Sequence, residues 1–275
     1  MSAKRTICVA GKNNIACDVM DYMIHNYMHD SNFAACCNRT DMGIDGWQRS
    51  YRAHIKKYGL IEKNMEELYE IENLVFISAE FDRILNPKMF KDGKLYNIHF
   101  SLLPAYRGMY TSVMPILYGE EKAGVTLHEI DAGIDTGKII AQSSFELSDD
   151  MTSRDLYLKC MEEGKILIIK NAAALLAGSY ESYHQPVKGA SYFSKKVLDY
   201  NNLVIDLNGT AYQIQNQLRA YSFREYQLPR IMGREVTAWK ITDCRSEQKA
   251  GVMLWEDERR ARISTADYDI LVDFL

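Results

Sequence analysis

Two short segments of this 275-residue sequence gather side chains that can move a proton and hold a developing negative charge. The first runs Asn97-Ile98-His99-Phe100-Ser101-Leu102-Leu103-Pro104 and continues to Tyr106-Arg107-Gly108. The second runs from His128 through Asp131-Ala132-Gly133-Ile134-Asp135-Thr136-Gly137. Asn97 and His99 alternate at the end of an extended run, so both project to one face of a strand. The proline that follows ends the strand, because it cannot supply a ladder donor. Arg107-Gly108 makes a cationic turn suited to an anionic or hydroxyl-rich ligand. An acid on a glycine-bracketed loop can sit beside a histidine and stabilise its imidazolium form. A base, an amide donor for an oxyanion and an orienting acid are the minimum machinery for acyl transfer between nitrogens. Each residue also has a plainer use. Strand histidines are often structural, a strand-end asparagine caps a turn, and aspartates beside glycines form turns. Their joint spacing is what points to chemistry.

Positioning these groups needs a sheet. Strands are expected at Thr6–Gly11, Asn32–Cys37, Leu74–Ser78, Tyr96–Phe100 and Gly124–Ile130. Helices are expected at Ile15–Met28, Asp45–Tyr58 and Ser153–Leu176, the last with Leu156, Cys160, Ile166, Ile169 and Ala173 at roughly helical spacing. This alternation predicts an α/β fold with a doubly wound, mostly parallel sheet, which takes ligands beyond the carboxyl ends of its strands. Pro186, Gly189 and Ser191 mark a linker-like stretch. After a helix at Thr210–Ala220, short alternating runs at Val236–Thr242, Gly251–Trp255, Arg260–Ser264 and Asp269–Leu275 read as a small β-rich domain. The expected division is 1–183 for the catalytic domain and 184–275 for a C-terminal domain making acceptor or dimer contacts.

Composition narrows the classes. At 47% hydrophobic the chain can bury a core. A net charge of −4 lacks the electropositive footprint of a nucleic-acid clamp. The six cysteines form no C-x-x-C pair and read as buried, reduced thiols of a cytoplasmic protein. The opening MSAKRTICVAG reads as a first strand rather than a signal peptide, and no run is long enough to span a membrane.

The paired motifs Asn-x-His-x-Ser-Leu-Leu-Pro and Asp-x-Gly-x-Asp-Thr-Gly resemble the formyltetrahydrofolate-dependent formyltransferases. The likeness is strong over residues 70–145 and weaker over the rest of the first 180. That family includes methionyl-tRNA formyltransferase, glycinamide ribonucleotide transformylase and the nucleotide-sugar N-formyltransferases. The resemblance implies direct transfer from N10-formyltetrahydrofolate, without a metal. Asn97, His99 and Asp135 would be its catalytic residues, with His99 as base. Phe81, Asp82, Arg83, Ile84 and Leu85 would contact the carrier's pterin, with Asp131 and Ala132 on the facing loop and His128 close by. Ser101, Tyr106, Arg107 and Gly108 would line the acceptor side.

For the acceptor, the 176–190 stretch has one lysine and no arginine, which disfavours a tRNA clamp. The β-rich tail disfavours the purine-pathway enzyme. The nucleotide-sugar members, many of them dimers, fit better. Arg219, Tyr221, Phe223 and Tyr226 would meet a thymine ring and diphosphate, or else pack the domain junction. Lys12 and Asn13 open a helix whose N-terminus can favour phosphate, or form an ordinary turn. The expected acceptor is dTDP-4-amino-4,6-dideoxyglucose or its 3-amino isomer, the 4-amino sugar placed first. The product would feed lipopolysaccharide or O-antigen glycans. A homodimer is expected, and neither a membrane nor nucleic acid as partner. The rivals are methionyl-tRNA formyltransferase, a formate-releasing hydrolase and a non-catalytic folate- or nucleotide-binding protein.

Overall fold

The computed structural model describes residues 4–275. The chain forms two compact units, each assembled from separate stretches of sequence. The first takes the chain up to Gly108, then Gly124–Ser144 and Lys159–Tyr192. The second takes Met109–Ala123, Phe145–Leu158 and Phe193–Leu275.

In the first unit, β1 (Arg5–Gly11), β2 (Ser31–Cys37), β3 (Leu74–Ala79) and β4 (Gly93–His99) pair in parallel. Between them lie α1 (Asn13–Tyr27), α2 (Tyr51–Lys57) and α3 (Met65–Tyr69). After the two-residue strand β5 (Arg107–Gly108) and the short helix α4 (Met114–Leu117), β6 (Lys122–Glu129) joins β4 antiparallel. With β7 (Ile139–Glu146) the order is β2-β1-β3-β4-β6-β7. β3 is buried at all six positions, the mark of a strand covered on both faces. The expected α/β fold with a mostly parallel sheet is observed.

One long helix fixes the strand that matters most. In α5 (Ser153–Ala177), Gly164 has no side chain where a Cβ would meet Ile98 at 3.0 Å and Phe100 at 3.4 Å. The helix therefore lies close against β4. Tyr96 Oη also donates to the Leu175 carbonyl at 3.2 Å. Tyr96 and Ile98 face the helix, so the alternate residues Asn97 and His99 face away from it. The buried stripe of α5 agrees with the expected one at Leu156 and Cys160 and departs from it further along the helix. Leu167, Ile168, Ala172 and Leu175 are buried, whereas Ala173 is exposed.

The helix expected over Asp45–Tyr58 is much shorter. Asp45 Oδ1 accepts from Ser50 N, and Ser50 Oγ accepts from Ala53 N. These side-chain bonds hold 45–50 as a capped loop and start α2 at Tyr51.

After β8 (Tyr192–Phe193) come α6 (Ala211–Ala220) and a five-stranded antiparallel sheet in the second unit. A Thr210–Gln213 capping box starts α6. The sheet contains β9 (Arg230–Ile231), β10 (Arg234–Ile241), β11 (Met253–Glu256), β12 (Arg260–Ile263) and β13 (Ile270–Phe274), in the order β11-β12-β13-β10-β9. Val236, Ala261, Ile263, Ile270, Val272 and Phe274 bury its inner face. No helix of the described residues is long and apolar enough to cross a membrane.

Candidate active site

The antiparallel register of β4 on β6 sets Asn97 opposite His128 and His99 opposite Thr126. Asn97 Nδ2 lies 3.1 Å from His128 Nε2 and donates to Asp135 Oδ1 at 3.3 Å. His99 Nδ1 is 3.5 Å from Asp135 Oδ2, and His128 Nε2 is 3.7 Å from Oδ1. The structure thus brings Asn97, His99 and Asp135 together, with His128 as a fourth member inside the cluster.

Hydrogen-bond chemistry assigns the ring protons. A carbonyl can only accept. His99 Nε2 sits 2.8 Å from the Tyr106 carbonyl oxygen, so Nε2 carries the proton there and neutral His99 keeps its lone pair on Nδ1. His128 Nδ1 sits 2.7 Å from the Glu129 carbonyl oxygen, so neutral His128 presents a Nε2 lone pair to the Asn97 amide. Asn97 thereby has both amide hydrogens engaged.

The surrounding loops are held tightly. Tyr106 and Asp135 adopt left-handed backbone, φ 59° and 53°, uncommon without glycine. Such strain persists only where neighbours over-determine it. Gly108 N donates to Asp135 Oδ2 at 2.9 Å. Gln185 Nε2 donates to the Asp135 and Gly137 carbonyls, both at 2.8 Å. Arg107 Nε and Nη2 reach Gln185 Oε1 at 3.0 and 2.6 Å. Ser191 Oγ accepts from Tyr106 N at 2.8 Å, and the Ser191 carbonyl accepts from Arg107 N at 2.9 Å. The stretch that composition marks as a linker is therefore bonded to both loops of the site. Gln185 carried no sequence signal.

Protonation follows from burial and charge. Burial pulls the His99 pKa below its ordinary value, outweighing the Asp135 carboxylate that raises it. Burial opposes ionisation of Asp135, but His99, His128 and the Gly108 N–H outweigh it and bring its pKa to about 2. The resting pair is a neutral imidazole beside a carboxylate.

The other expected residues divide. Leu85 joins the buried cluster of Phe76, Leu95 and neighbours, with Phe81, Phe90 and Ile130 packed against it. The Arg83 guanidinium lies 5.6 Å from the Phe81 ring, Asp82 accepts from Arg39 N, and Ile84 is exposed. A cavity of about 280 Å³ is bordered by Pro87, Phe90, Leu95, Glu129 and Ile130. Leu95 is on the same face of β4 as Asn97. Asp131 Oδ1 accepts from Gly133 N and Thr136 Oγ1, bracing the loop on which Ala132 is exposed. Lys12 is the extended residue before α1, and Asn13 Nδ2 donates to Glu80 Oε2.

Three expectations on the acceptor side need correction. Ser101 is buried and its hydroxyl donates to the Ala105 carbonyl, so it supports the loop instead of lining a cleft. Arg219 is also buried. It donates to the Met151 and Ser148 carbonyls and to Asn216 Oδ1, so it is no surface cation for a diphosphate. Tyr221 and Phe223 are buried as well, and only Tyr226 is exposed, its ring 4.8 Å from that of Phe223. Among the described residues, no group of three or more His, Cys, Asp or Glu could hold a metal ion.

Comparison with known proteins matches residues 9–172 to the formyl transferase family. The structure superposes on the N-formyltransferase from Helicobacter canadensis, solved with folinic acid and dTDP-3-aminofucose. The TM-score is 0.91 at 37% identity, over 98% of this chain and 100% of that one. It also superposes on WlaRD, a sugar 3N-formyl transferase solved in the presence of dTDP and 5-N-formyl-THF. There the TM-score is 0.92 at 37% identity, over 100% of this chain and 99% of that one. Methionyl-tRNA formyltransferase from Coxiella burnetii (strain RSA 331 / Henzerling II) is 27% identical over 207 residues, 74% of this chain. The chain spans only 65% of the length of that curated relative.

Proposed function

This chain belongs to the formyl transferase family, and we propose that it moves a formyl group from N10-formyltetrahydrofolate to the amine of a dTDP-linked amino-dideoxy sugar. The observation that carries the reading is the cluster in which a lone pair on His99, an amide donor on Asn97 and the Asp135 carboxylate meet. The cavity beside Leu95 supports the carrier, because Phe90, Leu95 and Ile130 offer a flat ring apolar contact while Lys94 and Glu129 border the same space with polar groups. For the acceptor, the two full-length neighbours favour an amine at the sugar's third carbon over the fourth.

In this mechanism His99 Nδ1 takes the proton as the sugar amine attacks the formyl carbon. Asn97 turns an Nδ2–H, the one held more loosely by Asp135, onto the formyl oxygen as that atom gains charge. Asp135 stabilises the imidazolium. His99 then gives the proton to the departing carrier nitrogen as its bond to carbon breaks. No enzyme-bound acyl group forms. The second unit is the proposed place of acceptor and subunit contacts in a homodimer acting in the cytoplasm, with surface glycans as the product's destination.

The test is mass-spectrometric turnover with N10-formyltetrahydrofolate and the dTDP-linked 3-amino and 4-amino sugars in parallel. One added formyl on the 3-amino sugar is expected. No product on either sugar, together with formylation of charged initiator tRNA, would replace this reading with the tRNA-directed one.

A further inference from the structure

We propose that Gln185 is a positioning residue for formyl transfer, one side-chain amide that ties the Arg107 turn to the Asp135 loop; this rests on the function proposed above. The carboxamide is used at both ends. Its Nε2 has two hydrogens, and each reaches a carbonyl of the acid-bearing loop, Asp135 O and Gly137 O at 2.8 Å. Its Oε1 has two lone pairs, and both Arg107 Nε and Nη2 approach it, at 3.0 and 2.6 Å. Every hydrogen-bonding position of a glutamine side chain is thus filled. No other residue type of this length offers two donors and a two-lone-pair acceptor in one plane. Glutamate lacks the donors, and methionine lacks both.

What the amide holds is what the chemistry needs held. Asp135 has a left-handed backbone that relaxes without outside support, and Gln185 grips the carbonyl of that same residue. If the loop relaxes, the Asp135 carboxylate leaves His99 Nδ1 and Asn97 Nδ2. At its other end, Gln185 fixes the Arg107 guanidinium. That arginine precedes Gly108, whose N–H is on the second Asp135 oxygen. Gln185 therefore closes a ring: Arg107, Gly108, Asp135, Gln185. The chain reaches this point because Tyr183 exchanges two backbone hydrogen bonds with Ile139 at the start of β7, 2.9 and 3.0 Å, which sets Gln185 two residues further along.

The test compares wild type, Gln185→Met, Gln185→Glu and the exposed neighbour control Val187→Ser. Two measurements are made: turnover with the formyl carrier and the dTDP-linked amino sugars, and NMR titration of the His99 ring. Gln185→Met should lower kcat by about 10- to 100-fold while the carrier KM stays within about 3-fold, since a displaced catalytic group costs rate more than binding. Its His99 midpoint should move to lower pH, because the carboxylate that favours the imidazolium has moved off. Gln185→Glu keeps the contact with Arg107 and loses the two donors, so it should resemble the methionine variant in both measurements. Val187→Ser should match wild type. Should Gln185→Met fold poorly, Gln185→Glu and its titration still decide. Either Gln185 variant, folded, with kcat within about 2-fold of wild type and an unmoved His99 midpoint would overturn the proposal. A wild-type protein that formylates no amine would instead sink the functional reading, and the titration would separately say whether the amide orders Asp135.

Discussion

Two regions of this chain look equally reactive when written as letters. One pairs Asn97-x-His99 and Tyr106-Arg107-Gly108 with a loop ending in Asp135. The other is Arg219-Ala-Tyr221-Ser-Phe223-Arg-Glu-Tyr226, a cation among aromatics. In the folded protein they diverge. The first leaves a lone pair on His99 Nδ1, a carboxylate with a pKa near 2 and two strained backbones held by outside bonds. The second closes on itself. Arg219 caps carbonyls within its own unit, and two of its three aromatics are buried. Strand alternation projects every second side chain together, so spacing on β4 carries directional information. At the end of a short helix the same residue types satisfy the carbonyls of a neighbouring turn and fill a core. A motif earns a functional reading when its geometry leaves bonding capacity unmet.

The contrast can be broken at several points. His99→Ala should lower kcat by roughly 100- to 10,000-fold, the range of a lost general base, with the melting temperature little changed. A kcat within 3-fold of wild type would remove the first region from the chemistry. The wild-type kcat should rise with pH through a midpoint below the ordinary imidazole value of about 6.5, because the base must be neutral and burial disfavours its protonation. A midpoint above 7 would contradict that environment.

Arg219→Met should do the opposite. Buried carbonyls left without donors cost roughly 2–4 kcal/mol of stability, read by denaturant unfolding, with kcat of the folded fraction within about 2-fold. A large rise in the acceptor KM at unchanged stability would restore this arginine as a ligand residue. Asp135 should contribute roughly 2 kcal/mol of acid-sensitive stability, because its folded pKa lies below the unfolded one. That contribution is complete above the unfolded value near 4 and is lost as pH falls through the folded value near 2. Unfolding curves of wild type and Asp135→Asn should therefore converge between pH 4 and pH 2. A gap constant over that range would mean the carboxylate is not held in its charged form. The smallest effect is expected at Tyr226, the exposed member of its segment. Tyr226→Ala should raise the acceptor KM about 5-fold, the worth of one aromatic stacking contact near 1 kcal/mol. No change would leave the segment wholly structural.

The sheet was legible wherever apolar runs were short and turn-bounded. The ends of β1, β2 and β3 fall within one residue of expectation, since burial on both faces leaves little ambiguity. β7 was missed because beyond Ile140 it alternates half-buried and exposed positions in a polar sequence, Ala-Gln-Ser-Ser-Phe-Glu. The five-residue α3 is too short for periodicity and is announced only by the Asn64–Glu67 capping box. In the site, the residues of β4 could be read from alternation. The link from Asn97 to His128 could not, because it depends on an antiparallel register between strands far apart in sequence. Gln185 was invisible for a similar reason. A glutamine before a proline in a glycine-containing stretch carries no chemical mark until both of its partners are in place.

The discontinuous build of the first unit has a consequence for the nascent chain. Ser191 follows Tyr106 by 85 residues, and Gln185 follows Arg107 by 78. At a synthesis rate of about 5–20 residues per second, roughly 4–17 s separate the emergence of Tyr106 from that of the serine that secures it. Asp135 follows Tyr106 by 29 residues, and from its emergence onward the histidine, asparagine and aspartate of the cluster are all present while the braces behind them are still unmade. The site is thus among the last parts of its unit to be locked, and a ribosome-bound intermediate arrested before Gln185 should hold the sheet without the catalytic geometry.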